Sequence, residues 1–140
     1  MGISGSCFCK AVKFKVNGEH KSVVNCHCDF CRKHSGAAFS TYVAVSEAAL
    51  EITSGADSLA TFQLEGDAQK HFCKQCGSPL FNGKNARYPG LCMIYLGSID
   101  GSAIYVPTAN IHCESQLAWV PTLSELRAFP QGIGRHSEKQ

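Results

Sequence analysis

The sequence predicts a mainly β fold, and three observations carry that expectation. Apolar residues come in short stretches broken by Gly, Asn, Asp and Ser. Several stretches alternate apolar with polar residues, and none sustains a 3.6-residue apolar period over about 12 residues. The first clear strand covers residues 11–16, with Val12, Phe14 and Val16 on one face and Lys13 and Lys15 on the other, closed by Asn17-Gly18. Val23-Val24 forms a short strand, and residues 38–45 read as the next. Ser46-Glu47-Ala48-Ala49 is one helical turn before a strand at residues 50–53. Strands at 59–64 and 70–72 flank Glu65-Gly66-Asp67 as a hairpin. Leu80-Phe81 and residues 91–97, 103–106 and 109–113 complete the strands. The single good helix signal is Thr122-x-x-Glu125, a capping box ahead of residues 126–129.

A chain of 140 residues without internal repeat or low-complexity linker is expected to be one domain over residues 1–134, with residues 135–140 a flexible tail. A composition of 44% hydrophobic and 17% charged residues excludes disordered, collagen-like and coiled-coil classes. The net charge is only +2, and the lysines alternate outward along single strands, so no nucleic-acid partner is expected. The longest apolar run, residues 91–96, is too short to cross a bilayer. Met1-Gly2-Ile3-Ser4-Gly5-Ser6 fits the myristoylation pattern, but no polybasic patch or second lipid site supports an anchor, so no membrane association is expected.

Cysteine is the unusual residue, nine in all, and seven of the nine fall in three tight groups. These are Cys7-Phe8-Cys9, Cys26-His27-Cys28-Asp29-Phe30-Cys31 and Cys73-Lys74-Gln75-Cys76; Cys92 and Cys113 stand alone. The count is odd, the groups are too tight for bridges between distant strands, and residues 1–15 lack the apolar stretch of a signal peptide. Metal binding in a reducing cytoplasm is therefore expected over disulfides.

Zinc takes four ligands in a tetrahedron, and a Cys-x-x-Cys turn aims two sulfurs at one ion. Cys73-Lys74-Gln75-Cys76-Gly77 has that form, with Gly77 free to take the left-handed conformation after the turn. Cys7-x-Cys9 grips in the same way. Two such pairs make a closed, structural Cys₄ site. Cys26, Cys28 and Cys31 then offer three thiolates with a fourth position open, which is the catalytic pattern; His27, His34 or His71 would close it instead. Spacing alone leaves open both that choice and which pairs share an ion.

Three ordered motifs resemble the glutathione-dependent formaldehyde-activating enzyme family, which includes centromere-protein-V-like proteins. They are Gly5-Ser6-Cys7-x-Cys9-x-Ala11-Val12-x-Phe14, Cys26-x-Cys28-x-x-Cys31-Arg32-Lys33 and Phe72-Cys73-x-x-Cys76-Gly77-Ser78-x-Leu80-Phe81. Ile111-His112 through Ala118-Trp119-Val120 resembles the family's C-terminal strand and Trp motif, so the likeness spans about residues 5–130. The resemblance implies a β-tent fold of small antiparallel sheets built around two zinc ions. It also implies a structural zinc on Cys7, Cys9, Cys73 and Cys76 and a catalytic zinc on Cys26, Cys28 and Cys31. Phe8 stands where relatives often carry His.

The activity implied is a zinc-dependent carbon–sulfur lyase, glutathione thiol plus formaldehyde giving S-hydroxymethylglutathione. Zinc lowers the pKa of a bound thiol, and it also polarises carbonyl oxygens. Three cysteinates leave the site net negative, which favours thiolate delivery over carbonyl activation. The competing expectation is a non-catalytic interaction module with both zinc ions structural. Arg32, Lys33 and His34 read as a solvated turn, with glutathione carboxylates as their alternative role. His71 reads as a strand residue and Asp29 as an acceptor behind the ligands. Cys92, Cys113 and Trp119 read as core.

Overall fold

The structure, a computed structural model, describes residues 2–133. The strands among them are β1 (Ile3–Ser6), β2 (Lys13–Val16), β3 (Ser22–Cys26), β4 (Ser40–Ser46), β5 (Leu50–Ser54), β6 (Leu59–Gln63), β7 (Gln69–Cys73), β8 (Pro79–Gly83), β9 (Leu91–Tyr95) and β10 (Ala109–Ile111). They build a three-stranded sheet, β1-β2-β5, and a seven-stranded sheet, β10-β3-β4-β9-β8-β7-β6. Every pairing is antiparallel except β10 on β3. The mainly β expectation holds. The tail expected at residues 135–140 lies outside the described residues.

Alternation in β2 decides how the small sheet sits. Phe14 and Val16 turn inward and Lys13 and Lys15 outward, so one face is buried against the large sheet. Gly5 of β1 permits the closest approach: a Cβ there would collide with the Phe14 ring and the Ser98 carbonyl. A bridge from Gly5 to Ile99 adds a backbone link at the same point.

The large sheet is buried on both faces at its centre, which is why β4 reads as a run rather than an alternation. Val43 and Val45 face the small sheet in a core with Val23, Leu80, Phe81 and Ile94. On the opposite face Tyr42 joins Val24, Cys26, Cys31 and Tyr95, with Met93 and Ile111 packed alongside. Register explains that grouping: Tyr42 pairs with both Val24 and Tyr95, Cys26 pairs with Ile111, and Asn82 pairs with Met93. One face of one sheet thus collects residues from five strands.

Two expectations need correcting, and one element lies outside them. Helix α1 (Asp29–Ser35) was not foreseen: Cys28 caps its N-terminus, Gly36 ends it in the left-handed conformation, and seven residues are too few to show a period. Residues 103–106 are not a strand but a 3-10 turn at Ser102–Ile104 and an exposed segment, because Ile104 and Val106 find no partner strand and stay in solvent. The capping box opens no helix at residues 126–129. A kinked 3-10 stretch, Val120–Glu125, ends there, and Leu123 and Leu126 are exposed, so no apolar face is buried to hold a helix.

Candidate metal centres and the cleft beside the second

The first cysteine group joins the two sheets. Cys7 follows β1 and Cys9 lies in the turn to β2, while Cys73 ends β7 and Cys76 lies in the turn to β8. All four sulfurs lie within 4.8 Å of one another. Cys7 Sγ is 3.7 Å from Cys9 Sγ, which is 3.8 Å from Cys73 Sγ. Four thiolates around a tetrahedral zinc at about 2.3 Å stand about 3.8 Å apart, so the spacing fits that ion.

Backbone geometry holds the sulfurs. The Val12 N–H donates to Cys7 Sγ at 3.2 Å and the Gln75 N–H to Cys73 Sγ at 3.3 Å. Gly77, at φ +78°, closes the second turn as the sequence predicts, its N–H donating to the Cys73 carbonyl at 2.8 Å. Ser78 ties the turns together: its hydroxyl accepts from the Phe8 N–H at 3.0 Å and lies 3.2 Å from Cys76 Sγ. That hydroxyl holds the Cys76 thiol well down, to about 5. Cys7 and Cys73 are buried, while Cys9 and Cys76 face solvent.

The second group is built differently. Cys26 ends β3, Cys28 caps α1 and Cys31 lies in its first turn; the three sulfurs lie within 4.8 Å of one another. Cys26 Sγ and Cys28 Sγ are 3.6 Å apart, again close to zinc spacing. The Cys31 N–H donates to Cys28 Sγ at 3.2 Å. Hydrogen bonding from the Cys31 thiol holds Cys26 down to about 5, and the same contact pushes Cys31 up. One sulfur is thus poised to ionise and its neighbour to keep a proton until a cation replaces it.

No histidine among the described residues joins either group. His27 is buried, with Nε2 2.9 Å from Asn110 Oδ1. His34 meets Lys70, whose Nζ lies 3.3 Å from its Nδ1. His71 sits in β7 as expected, stacked on Phe81 and bonded to Thr61.

What faces the trio is a cavity. A space of about 100 Å³ is walled by the three cysteines with Tyr42, Asn82 and Met93. It runs into a wider cleft of about 830 Å³ that shares Cys28, Phe30, Leu64, Tyr88 and His112 with it. The walls are largely apolar, and Arg87 is the one Lys or Arg among the lining residues.

Sequence reasoning missed Tyr42, Asn82, Tyr88, Arg87 and Tyr95. They reach the trio through strand register and loops, not through neighbouring positions. His112 had a signal, since it stands in the Ile111-His112 motif, but no role was assigned to it.

Other candidates are displaced. Arg32 is no solvated turn residue: its Nη1 donates to the His27 carbonyl at 2.7 Å and to the Ser115 carbonyl, and it pairs with Asp29. Asp29 therefore serves Arg32. Cys92 is core, where burial pushes its thiol up to about 12. Cys113 is exposed, because β10 stops at Ile111 and His112 turns the chain at φ 57°. Trp119 is half exposed rather than core, lying beyond the last strand.

Comparison with known proteins points one way. The family model described as glutathione-dependent formaldehyde-activating enzyme matches residues 2–115. A Halomonas elongata protein named as a candidate glutathione-dependent formaldehyde-activating enzyme is 31% identical over 128 residues, covering 86% of this chain and 80% of that one. A similarly named Aspergillus terreus protein is 32% identical over 102 residues, and the chain spans 53% of its length. The crystal structure of a Rhodobacter sphaeroides protein shares the fold with a TM-score of 0.60 at 23% identity, covering 70% of this chain and 88% of that one.

Proposed function

The chain belongs to the glutathione-dependent formaldehyde-activating enzyme family, and from that premise we propose that it is a zinc-dependent carbon–sulfur lyase. Its substrate is glutathione or a related thiol adduct, on the pattern of thiol plus formaldehyde giving S-hydroxymethylglutathione. The contrast between the two sulfur groups carries this reading. Cys7, Cys9, Cys73 and Cys76 supply a complete tetrahedron and are assigned a structural zinc. Cys26, Cys28 and Cys31 supply three ligands beside a cavity and are assigned the catalytic one.

Zinc bound at the trio supplies positive charge that keeps a substrate thiol ionised at neutral pH. The remaining work falls to the protein. With Cys31 a thiolate, the Tyr42 hydroxyl is the donor of their 3.3 Å contact and draws charge from that sulfur. Phe30, Leu64, Met93 and Ile111 line the walls and limit water. Arg87, on the wall of the wider cleft, is assigned to a glutathione carboxylate. The thiol sulfur attacks the aldehyde carbon, the C–S bond forms, the carbonyl π pair moves to oxygen, and the thiol proton ends on that oxygen. A reducing cytoplasm suits seven thiolates.

Metal analysis combined with one variant tests the reading. Two zincs per chain are expected, one exchanging in the presence of glutathione, and Cys28→Ser is expected to lose that zinc together with lyase activity. Full zinc and full activity in Cys28→Ser would refute the assignment. Two equally inert zincs would make the protein a structural module.

A further inference from the structure

The chamber of about 100 Å³ beside the trio is larger than the smallest adduct needs. One water takes roughly 10–15 Å³ of such space, so the chamber has room for roughly seven water-sized groups. Zinc, a substrate sulfur and the carbon and oxygen that formaldehyde contributes fill about four of those places. What is left over is apolar. Phe30, Met93 and Ile111 pack against Cys26, Cys31 and Tyr42 on one face of the large sheet. None of the described residues that line the chamber is Lys, Arg, Asp or Glu. Its inner polar groups are turned to one another: Tyr42 Oη lies 3.3 Å from Cys31 Sγ, and Asn82 Nδ2 donates to the hydroxyl oxygens of Tyr42 and Tyr95. The other polar side chains on its wall, Asn85, Tyr88 and His112, are shared with the wider cleft.

A thiol sulfur that has added to an aldehyde carries two substituents, the thiol's own chain and the former carbonyl carbon. In that addition the C–S bond forms and the carbonyl π pair moves to oxygen, which takes the thiol proton. The aldehyde's hydrogen and side chain stay on carbon. Glutathione, with two carboxylates and an ammonium group, is too large and too charged for an apolar chamber. It fits the cleft of about 830 Å³, where Glu65 and Arg87 stand. The chamber is thereby left to the aldehyde's side chain. We infer that the site takes the adducts of apolar aliphatic aldehydes of about four carbons, their alkyl chains packed against Phe30, Met93 and Ile111. The inference rests on the trio being the thiol-adduct site proposed above, and it adds the class of aldehyde.

S-alkylglutathiones are suitable probes, since they keep two substituents on sulfur and do not dissociate. Titration calorimetry on the zinc-loaded full chain compares the S-methyl, S-butyl and S-octyl compounds. Each buried methylene is worth about fourfold, so wild type is expected to bind S-butylglutathione about 50-fold tighter than S-methylglutathione. S-octylglutathione is expected to bind no tighter than the butyl compound, because the chamber is already full. Ile111→Trp fills the chamber and is expected to cut the butyl preference below about fivefold. A butyl-to-methyl ratio near one, a further gain of about tenfold or more at octyl, or a full preference kept in Ile111→Trp overturns the assignment of the chamber and leaves the thiol-adduct site standing. Should wild type bind none of the three compounds nor glutathione, both inferences fall. If Ile111→Trp does not fold, the wild-type series decides alone: a gain at butyl that stops before octyl upholds the assignment, and any other pattern ends it.

Discussion

Tyr42 Oη lies 3.3 Å from Cys31 Sγ, in the buried face of a sheet where Tyr42 pairs across strands with Tyr95. Burial pushes the Tyr42 phenol up, so it stays a neutral donor throughout the working pH range. A hydroxyl donating to a ligand sulfur steadies both its charge and its position. Tyr42→Phe keeps the ring and removes only that bond. Zinc at the trio should then leave about 10- to 100-fold faster under chelator, while the other zinc is unaffected. An unchanged rate of zinc loss would show that the contact does no more than pack.

Cys76 is exposed, yet its loss should damage the fold more than the loss of buried Cys92. The reason is topological. The group Cys7, Cys9, Cys73 and Cys76 joins the end of the small sheet to the β7–β8 turn, and structural zinc contributes folding free energy directly. Cys76→Ser should bind one zinc fewer and melt roughly 10 °C or more lower. Cys92→Ala should keep both zincs and lose about 1–2 kcal/mol. Thermal denaturation with parallel metal analysis separates the two, and a Cys76→Ser protein as stable as wild type would remove the staple.

Much of this could be read along the chain, and what could not has a common cause. The β2 alternation and the β6–β7 hairpin are local patterns, and they hold. The three cysteine groups are local as well, so candidate ligands were visible before any fold. Tyr42, by contrast, sits in β4, where both faces are buried and no alternation singles it out. Asn82 comes near Tyr42 only because β9 lies between their strands. Helix α1 hid because the residues that would announce it, Cys28 and Cys31, are chosen for their sulfur rather than for helix propensity. Cys113 and Trp119 misled in the opposite sense, since apolar or soft residues near a chain's last strand need not be covered.

Arg87 offers a test of substrate charge. Glutathione carries two carboxylates, and Arg87 is the one Lys or Arg among the residues lining the cleft. Arg87→Met should raise KM for glutathione about 5- to 10-fold with kcat little changed, because the contact is made equally before and during reaction. High salt should narrow the gap between wild type and variant. If KM does not move in low salt, the carboxylates are held elsewhere and the cleft's apolar walls carry the binding.

His34 and Lys70 set a pH dependence whose sign can be worked out. The Lys70 ammonium lies 3.3 Å from His34 Nδ1 and donates to the His34 carbonyl at 2.7 Å. Burial, and then the Lys70 charge, hold the His34 imidazole below its ordinary value. The unfolded chain, with a histidine near 6.5, therefore takes up a proton before the folded protein does. The stability His34 contributes is complete above about pH 6.5 and is lost as pH falls from there through the folded value. Lys70→Met removes the like charge but not the burial, so the His34 pKa should rise part of the way back. Ring-proton NMR titration of His34 reads that rise directly. Acid also protonates the cysteine thiolates, so total acid lability is no guide; the difference in melting temperature between wild type and Lys70→Met, followed from pH 7.5 to 5, isolates the pair. That difference should shift in favour of the variant as pH falls, because the variant has less imidazole strain to lose. A His34 titration that is identical in both proteins would mean that burial alone sets it and that Lys70 acts only through the carbonyl.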